Sequence, residues 1–420
     1  MADKLRLCLL SLLTCMACLV TTTSSSAFAP QAPPTGVWHA WLDTAGGDLP
    51  FELIFETKGD EIRTVIRNGA ELIDVPATTL RGEELSIDID YFASKIVAKM
   101  SSDGSRMEGE WRKNLGIERI STMAFHATKG ARPRFSLPAT SEPSHLGKLA
   151  GRWRVQFQRD PDPSVGIFSV HDGEFAGTFL TTLGDYRYLA GVADDKQLKL
   201  SCFDGAHAFL FSASVTESGI LEGNFWSSKG NAVTWTAQRD DTAKLPDSWE
   251  LTKGDTTQLR GLEFPDLSGE LRSLADPAFA GKARLVVVFG SWCPNCKDET
   301  AYLVELDRRY RDRGLSIVGL AFERTGDFGV DSAQLRTYVK RQGIEYPILV
   351  AGISNKRRAS EALPILDQVR SYPTTLFINS DGRLRAVHQG FAGPGTGKEH
   401  QRLRTEFERV IEELLTEKGS

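Results

Sequence analysis

The sequence is short of three things, and each shortage removes a class of answers. Its apolar stretch near the N-terminus, residues 7–20, is 14 residues long, whereas a bilayer-spanning helix needs about 20. A multi-span membrane protein is therefore set aside. It has no surplus of positive charge: 50 Lys and Arg stand against 55 Asp and Glu, a formal net charge of -5. That argues against nucleic acid as the main partner, because phosphate binding needs a basic surface. It also has few cysteines, six in all, and Cys8, Cys15 and Cys18 lie within the first 29 residues. What the chain has is length. At roughly 100–200 residues per domain, 420 residues imply two to four domains. A hydrophobic content of 41% with 25% charged residues is ordinary for globular chains and argues against wholesale disorder.

Residues 1–29 have the layout of a signal peptide: Lys4 and Arg6, the apolar run, then a small and polar stretch. Ser25 and Ala27 fit cleavage after Ala27. The alternative is a lipid anchor at Cys18, preceded by Ala17, although Cys15 stands where lipoprotein signals usually carry Leu. A buried N-terminal helix is disfavoured because the Pro- and Ser-rich residues 21–35 would detach it. Export to the periplasm or cell envelope is expected, soluble or membrane-anchored. After cleavage at Ala27 only Cys202, Cys293 and Cys296 remain, which excludes a disulfide-stapled scaffold.

Two composition breaks, around 129–145 and 240–258, divide the rest. The expected layout is a signal at 1–29, a β module at 30–131, a linker at 132–148 and a second β module at 149–240. A second linker at 241–258 then leads to an α/β domain at 259–420. In the first module Leu85, Ile87, Ile89 and Tyr91 alternate with polar residues, the period of a half-buried strand. Phe209, Phe211, Ala213 and Val215 do the same in the second. Asp103-Gly104 and Ser218-Gly219 mark turns at equivalent places. The modules also resemble each other. Trp38 to Trp111 spans 73 residues, as does Trp153 to Trp226. Leu85-Ser86 matches Leu200-Ser201, Glu108-Gly109 matches Glu222-Gly223, and Phe125-His126-Ala127 echoes Trp235-Thr236-Ala237. A duplicated antiparallel all-β module is expected, each copy a small barrel or sandwich of about 6–8 strands.

The last part alternates strand and helix. Residues 285–289 form a continuous apolar, Val-rich run, as in a strand covered on both faces. Residues 297–313 and 332–342 read as helices stopped by Gly314 and Gly343. The final helix carries Leu403, Phe407, Ile411 and Leu414 on one stripe. Between the strand at 285–289 and the first helix lies Cys293-Pro294-Asn295-Cys296. A cysteine at a helix start faces unpaired N–H groups and the positive end of the helix dipole. That favours its thiolate and makes Cys293 the nucleophile. Cys296 is one turn on, within disulfide reach, and can attack a mixed disulfide formed by Cys293. Pro294 is tolerated at the helix start, where its missing N–H would be unpaired anyway.

With its setting, Val-Val-Val-Phe-Gly-Ser-Trp-Cys-Pro-Asn-Cys-Lys-Asp-Glu (residues 286–299) resembles the active-site segment of the thioredoxin superfamily, in particular the exported TlpA/ResA-like thiol-disulfide oxidoreductases. Phe264-Pro265-Asp266-Leu267 with Ser273-Leu274 resembles that branch's N-terminal extension. Tyr372-Pro373-Thr374-Thr375 resembles the loop whose cis-proline faces the active-site cysteines. The resemblance covers about residues 259–418. It implies a thioredoxin-like α/β fold and a redox-active Cys293–Cys296 disulfide. It also implies a substrate groove of Trp292, Pro294, Asn295, Tyr372, Pro373 and Thr374. Pro373 would keep metal from the thiols and align a substrate backbone. Glu299, one turn beyond Cys296, would serve the thiols' proton chemistry, since Val287 occupies the place of thioredoxin's buried Asp. The alternative for Glu299 is a solvated acid beside Asp298, and for Trp292 a core aromatic.

Half a zinc site is disfavoured: four ligands are needed, and His388 and His400 do not form a second pair. No metal or cofactor is expected. Cys202 reads as a buried free thiol. Residues 392–398 imitate a phosphate loop, but Glu399 stands where a Mg²⁺-binding hydroxyl is required. Residues 323–331 and 351–370 read as insertions. The expected partners are protein disulfides and a membrane or periplasmic electron donor. The runner-up function is an envelope ligand- or partner-binding protein built on the β modules. A peroxidase is disfavoured because Cys293 lacks the P-x-x-x-T/S-x-x-C setting.

Overall fold

Alternating apolar residues in the first 100 described positions produce strands long enough to curl and close. In a computed structural model, which describes residues 32–59, 61–136, 147–171, 173–279, 281 and 283–417, eight antiparallel strands from Gly36–Thr44 to Arg119–Lys129 form a closed barrel. The expected signal at 1–29, with the lipid-anchor alternative at Cys18, lies outside the described residues. The first and last strands close the ring, Ala40 opposite Ala127. Leu85, Ile87 and Ile89 point inward with no exposed surface. Tyr91 does not continue this alternation: it falls in the short 3-10 turn Asp90–Phe92, where Ala93 at φ 50° reverses the chain.

The second module closes the same way. Its strand Ser164–His171 pairs with both Gly151–Phe157 and Glu174–Thr181, and Val233–Arg239 returns to Gly151–Phe157. Eight strands thus form a ring, with the short Gly184–Asp185 strand at its edge. Both modules are barrels rather than sandwiches, for the same reason: their end strands find each other, which leaves no unpaired edge. Equivalent residues occupy equivalent register. Gly109 faces Ala98 and Phe125, and Gly223 faces Ala213 and Trp235. Glycine is required at both points, since a Cβ would lie 2.0 Å from the Val97 oxygen in one barrel and 2.2 Å from the Ser212 oxygen in the other. The inward partner of Trp111 is therefore Phe225, and Trp226, one residue on, is half-buried outside the ring. The equal Trp spacing that suggested Trp226 as the counterpart is offset by one residue.

The barrels pack on each other through Phe203, which ends the strand Gln197–Phe203 of the second. Its ring contacts Phe51 at 4.4 Å and Trp111 at 5.2 Å in the first. Asn68 brackets its backbone, donating to the Phe203 carbonyl and accepting from its N–H.

In the C-terminal part a five-stranded sheet has Ala283–Phe289 at its centre. This strand runs parallel to Leu315–Glu323 and antiparallel to Thr374–Asn379, with Ile348–Ile353 and Leu384–Gln389 at the edges. All seven residues of Ala283–Phe289 are buried, as a strand with helices on both faces requires. The helices are α1 (Pro294–Tyr310), α2 (Phe328–Gln342), α3 (Lys356–Ala362) and α4 (Lys398–Thr416). α2 starts inside the stretch read as an insertion, because Asp327 caps it by accepting from the Val330 N–H. Residues 241–258, expected as a linker, lie packed on this domain. The Trp249 ring contacts Phe377, His388 and Phe407, and Thr252 is buried with its hydroxyl on Gln389.

Candidate functional site

The strand Ala283–Phe289 delivers the chain to a turn with little freedom. At Gly290 a Cβ would meet the Trp292 indole nitrogen at 2.2 Å. Ser291 is buried, and both its N–H and its hydroxyl donate to the Glu323 carboxylate at 2.8 Å. The Trp292 indole N–H donates to the Phe322 carbonyl. Cys293 follows as the N-cap of α1, its sulfur accepting from the Cys296 N–H at 3.2 Å. Cys293 and Cys296 are joined as a disulfide with Cα atoms 5.2 Å apart. Cys293 is 6% exposed and Cys296 fully buried, so only the first sulfur is within reach of a partner.

Opposite the disulfide, the Tyr372–Pro373 peptide is cis, and the Tyr372 carbonyl oxygen lies 3.5 Å from the Cys293 sulfur. The Tyr372 ring meets Trp292 edge-on at 5.4 Å. Thr374 is buried beneath, its hydroxyl donating to the Ser371 carbonyl. Trp292 keeps part of its surface open and carries the Arg324 guanidinium 4.3 Å above its ring. A cavity of about 300 Å³ adjoins this side, bounded by Trp292, Glu323 and Arg324 and, from the first barrel, by Ala93 and Asn114.

Glu299 is 1% exposed, not a solvated surface acid. One carboxylate oxygen accepts from Thr375 at 2.7 Å, and the other has no hydrogen-bond partner among the described residues. Burial pushes its carboxyl up from 4.5 to about 8, against the weaker opposing pull of Thr375. A second buried acid, Glu323, went unrecognised in the sequence. Burial raises it to about 7 despite the two Ser291 donors. Its signal was a lone carboxylate ending the apolar strand Leu315–Glu323, beside the strand that leads into the dithiol.

Also unforeseen is how much of the site comes from the second barrel. Pro294 and Asn295, expected in the groove, are both buried. The Asn295 amide donates to the Asp185 carbonyl and the Arg187 guanidinium to the Pro294 carbonyl, each at 3.3 Å. Gly184 lies so close to Asn295 that a Cβ would stand 2.8 Å from its amide nitrogen. Cys202 is buried inside the second barrel and unpaired, its thiol pushed well up by burial. Among the described residues no cluster of three or more His, Cys, Asp or Glu is placed to hold a metal ion.

Residues 256–387 match the model of the AhpC/TSA family. The same part of the chain is similar to several curated proteins. It is 26% identical over 127 residues to the thiol-disulfide oxidoreductase ResA of Halalkalibacterium halodurans, covering 30% of this chain and 62% of that protein. It is 27% identical over 135 residues to the thioredoxin-like protein YneN of Bacillus subtilis, covering 31% and 71%. The chain thus spans about three-fifths of the ResA length. A solved thiol:disulfide interchange protein of the thioredoxin family from Chlorobium tepidum aligns at 22% identity and a TM-score of 0.28, over 41% of this chain and 99% of that one. By its likeness to the AhpC/TSA family model and to these curated oxidoreductases the C-terminal part is thioredoxin-like.

Proposed function

We propose that the chain is an exported thiol-disulfide oxidoreductase that reduces protein disulfides through Cys293 and Cys296. The observation that carries this reading is the paired cysteines at the start of α1, facing the Tyr372–Pro373 loop, with one sulfur accessible and one enclosed. In the reduced form, the Cys293 thiolate attacks a substrate disulfide. A mixed disulfide forms and one substrate thiolate leaves. Cys296 then attacks the Cys293 sulfur, the second substrate thiolate leaves, and the pair is oxidised. Two electrons and two protons pass to the substrate, and a membrane or periplasmic dithiol donor restores the pair. Cys296 must lose its proton in a site closed to water. Glu299, a buried carboxyl with one free oxygen on the same helix face, is suited to take it when ionised, because burial makes its carboxylate a base close in strength to a thiolate. Trp292 and Tyr372, with Pro373 and Thr374 behind them, form the wall along which a substrate backbone lies. The basic, apolar, then small-residue layout of residues 1–29 supports export.

The test is the reduction of a model protein disulfide by the full chain, with a chemical dithiol as the electron source. Cys293→Ser is expected to abolish turnover above the uncatalysed rate. Undiminished reduction by that variant would overturn the reading.

A further inference from the structure

Arg187 occupies an unusual place. It belongs to the second barrel, yet its guanidinium is 2% exposed and serves all three parts of the molecule. It pairs with Glu71 of the first barrel and with Asp298 of α1, and its Nε lies 3.5 Å from Asp204 of its own barrel. The same nitrogen that meets Asp298 donates to the Pro294 carbonyl at 3.3 Å. Around it, Asp185 accepts from the Gly393 N–H, and Asp204 is held by His207 at 3.1 Å. Lys297 joins the same charge cluster, its ammonium 5.0 Å from the Tyr91 ring centre and within electrostatic reach of Arg187, Glu71 and Asp204. Other buried titratable groups of the site are Glu299 on α1, Glu323 at the end of the strand Leu315–Glu323 and Tyr372 in the cis-proline loop. Surrounded by carboxylates, Arg187 stays charged.

A buried cation is costly unless it is paired, and its pairing here joins the domains. That alone would make Arg187 structural. Its two contacts on α1 say more. Pro294 is the residue next to Cys293, and Asp298 lies in the second turn of the same helix. An unpaired carboxylate at Asp298 would oppose a thiolate at the helix start, whereas a guanidinium placed against both favours it. We propose that Arg187 is a positioning residue of the redox site: carried by the second barrel, it neutralises Asp298, holds the Pro294 carbonyl and sets the field in which Cys293 reacts. The barrels then tune the dithiol as well as flank it. By linkage, reduction of the dithiol strengthens their contact with α1 to the same degree.

The inference rests on Cys293 being the attacking thiolate, so the test reads both. The reduced full-length protein is alkylated with iodoacetamide across a pH series, and the Cys293 and Cys296 peptides are quantified separately by mass spectrometry. In the wild type Cys293 is expected to react first and to titrate below an ordinary thiol. If it does not, the functional reading falls and takes the proposal with it. Given that result, Arg187→Met should slow alkylation of Cys293 by about tenfold at acidic pH, where only the thiolate fraction counts. Asp298→Asn, which removes the opposing charge and keeps an acceptor for Arg187, should speed it. A merely structural junction would move both variants in one direction or neither, and either outcome overturns the proposal. If Arg187→Met does not fold, Asp298→Asn decides alone: faster alkylation supports the proposal, and an unchanged or slower rate refutes it.

Discussion

Replacing Glu299 by Gln tests whether a carboxylic acid is kept neutral inside this domain. The side chain is buried, its Oε1 accepts from Thr375, and its other oxygen has no partner. Gln has the same shape and can keep the Thr375 bond, so at low pH the exchange replaces one neutral group by another. The effect is therefore read in the pH dependence. The carboxyl sits at about 8 in the folded protein against 4.5 when solvated, so the folded state holds a proton that the unfolded state releases. The stability belonging to the neutral acid is complete below pH 4.5 and is lost as pH rises towards 8. Between pH 5 and pH 8 the wild type should lose about 3–4 kcal/mol that Glu299→Gln does not, at about 1.4 kcal/mol per tenfold change in proton affinity. The assay is urea unfolding of the oxidised protein at pH 5, 6, 7 and 8, with hydrogen exchange of the strand Ala283–Phe289 as the local probe. A wild type and variant whose difference is the same at pH 5 and pH 8 would refute the reasoning, because Glu299 would then be ionised and solvated in the fold.

Three further outcomes follow from the packing and the sequence. Gly109→Ala places a methyl 2.0 Å from the Val97 oxygen, and overpacking against rigid backbone should cost roughly 1–3 kcal/mol, read as a lower thermal midpoint with the redox site unchanged. Phe203→Ala removes the ring shared by both barrels and should cost about 3–5 kcal/mol, read as earlier exposure of the barrel interface in hydrogen exchange. Intact mass of the protein recovered from the cell envelope should show a mature chain starting at Phe28, whereas a diacylglyceryl mass on Cys18 would establish the lipid-anchored alternative.

How much was legible follows from how local each feature is. The strand, turn and helix around Cys293 lie within about 25 residues, so local pattern sufficed. The same holds for Glu299, where helical spacing placed the carboxyl on the cysteine face but could not say whether it was buried. Burial came from Thr375 and the sheet, 76 residues away. Alternation at Leu85–Ile89 announced a strand, but barrel closure depends on pairing ends such as Ala40 and Ala127, which no local period reports. The equal Trp spacing misassigned Trp226 because one inserted residue turns every following side chain to the other face. Arg187 carried no signal at all. Its partners Glu71, Asp298 and Pro294 are more than 100 residues away, and only the fold brings them together.

The central claim is that Cys293 forms the covalent link to substrate and Cys296 resolves it. The most direct measurement uses Cys296→Ser, reduced and mixed with a model protein disulfide, then quenched with acid and analysed by mass. The expected result is a mixed disulfide that accumulates and maps to Cys293, absent when Cys293 is also replaced. A mixed disulfide that fails to form, or that maps to Cys202, would contradict the account.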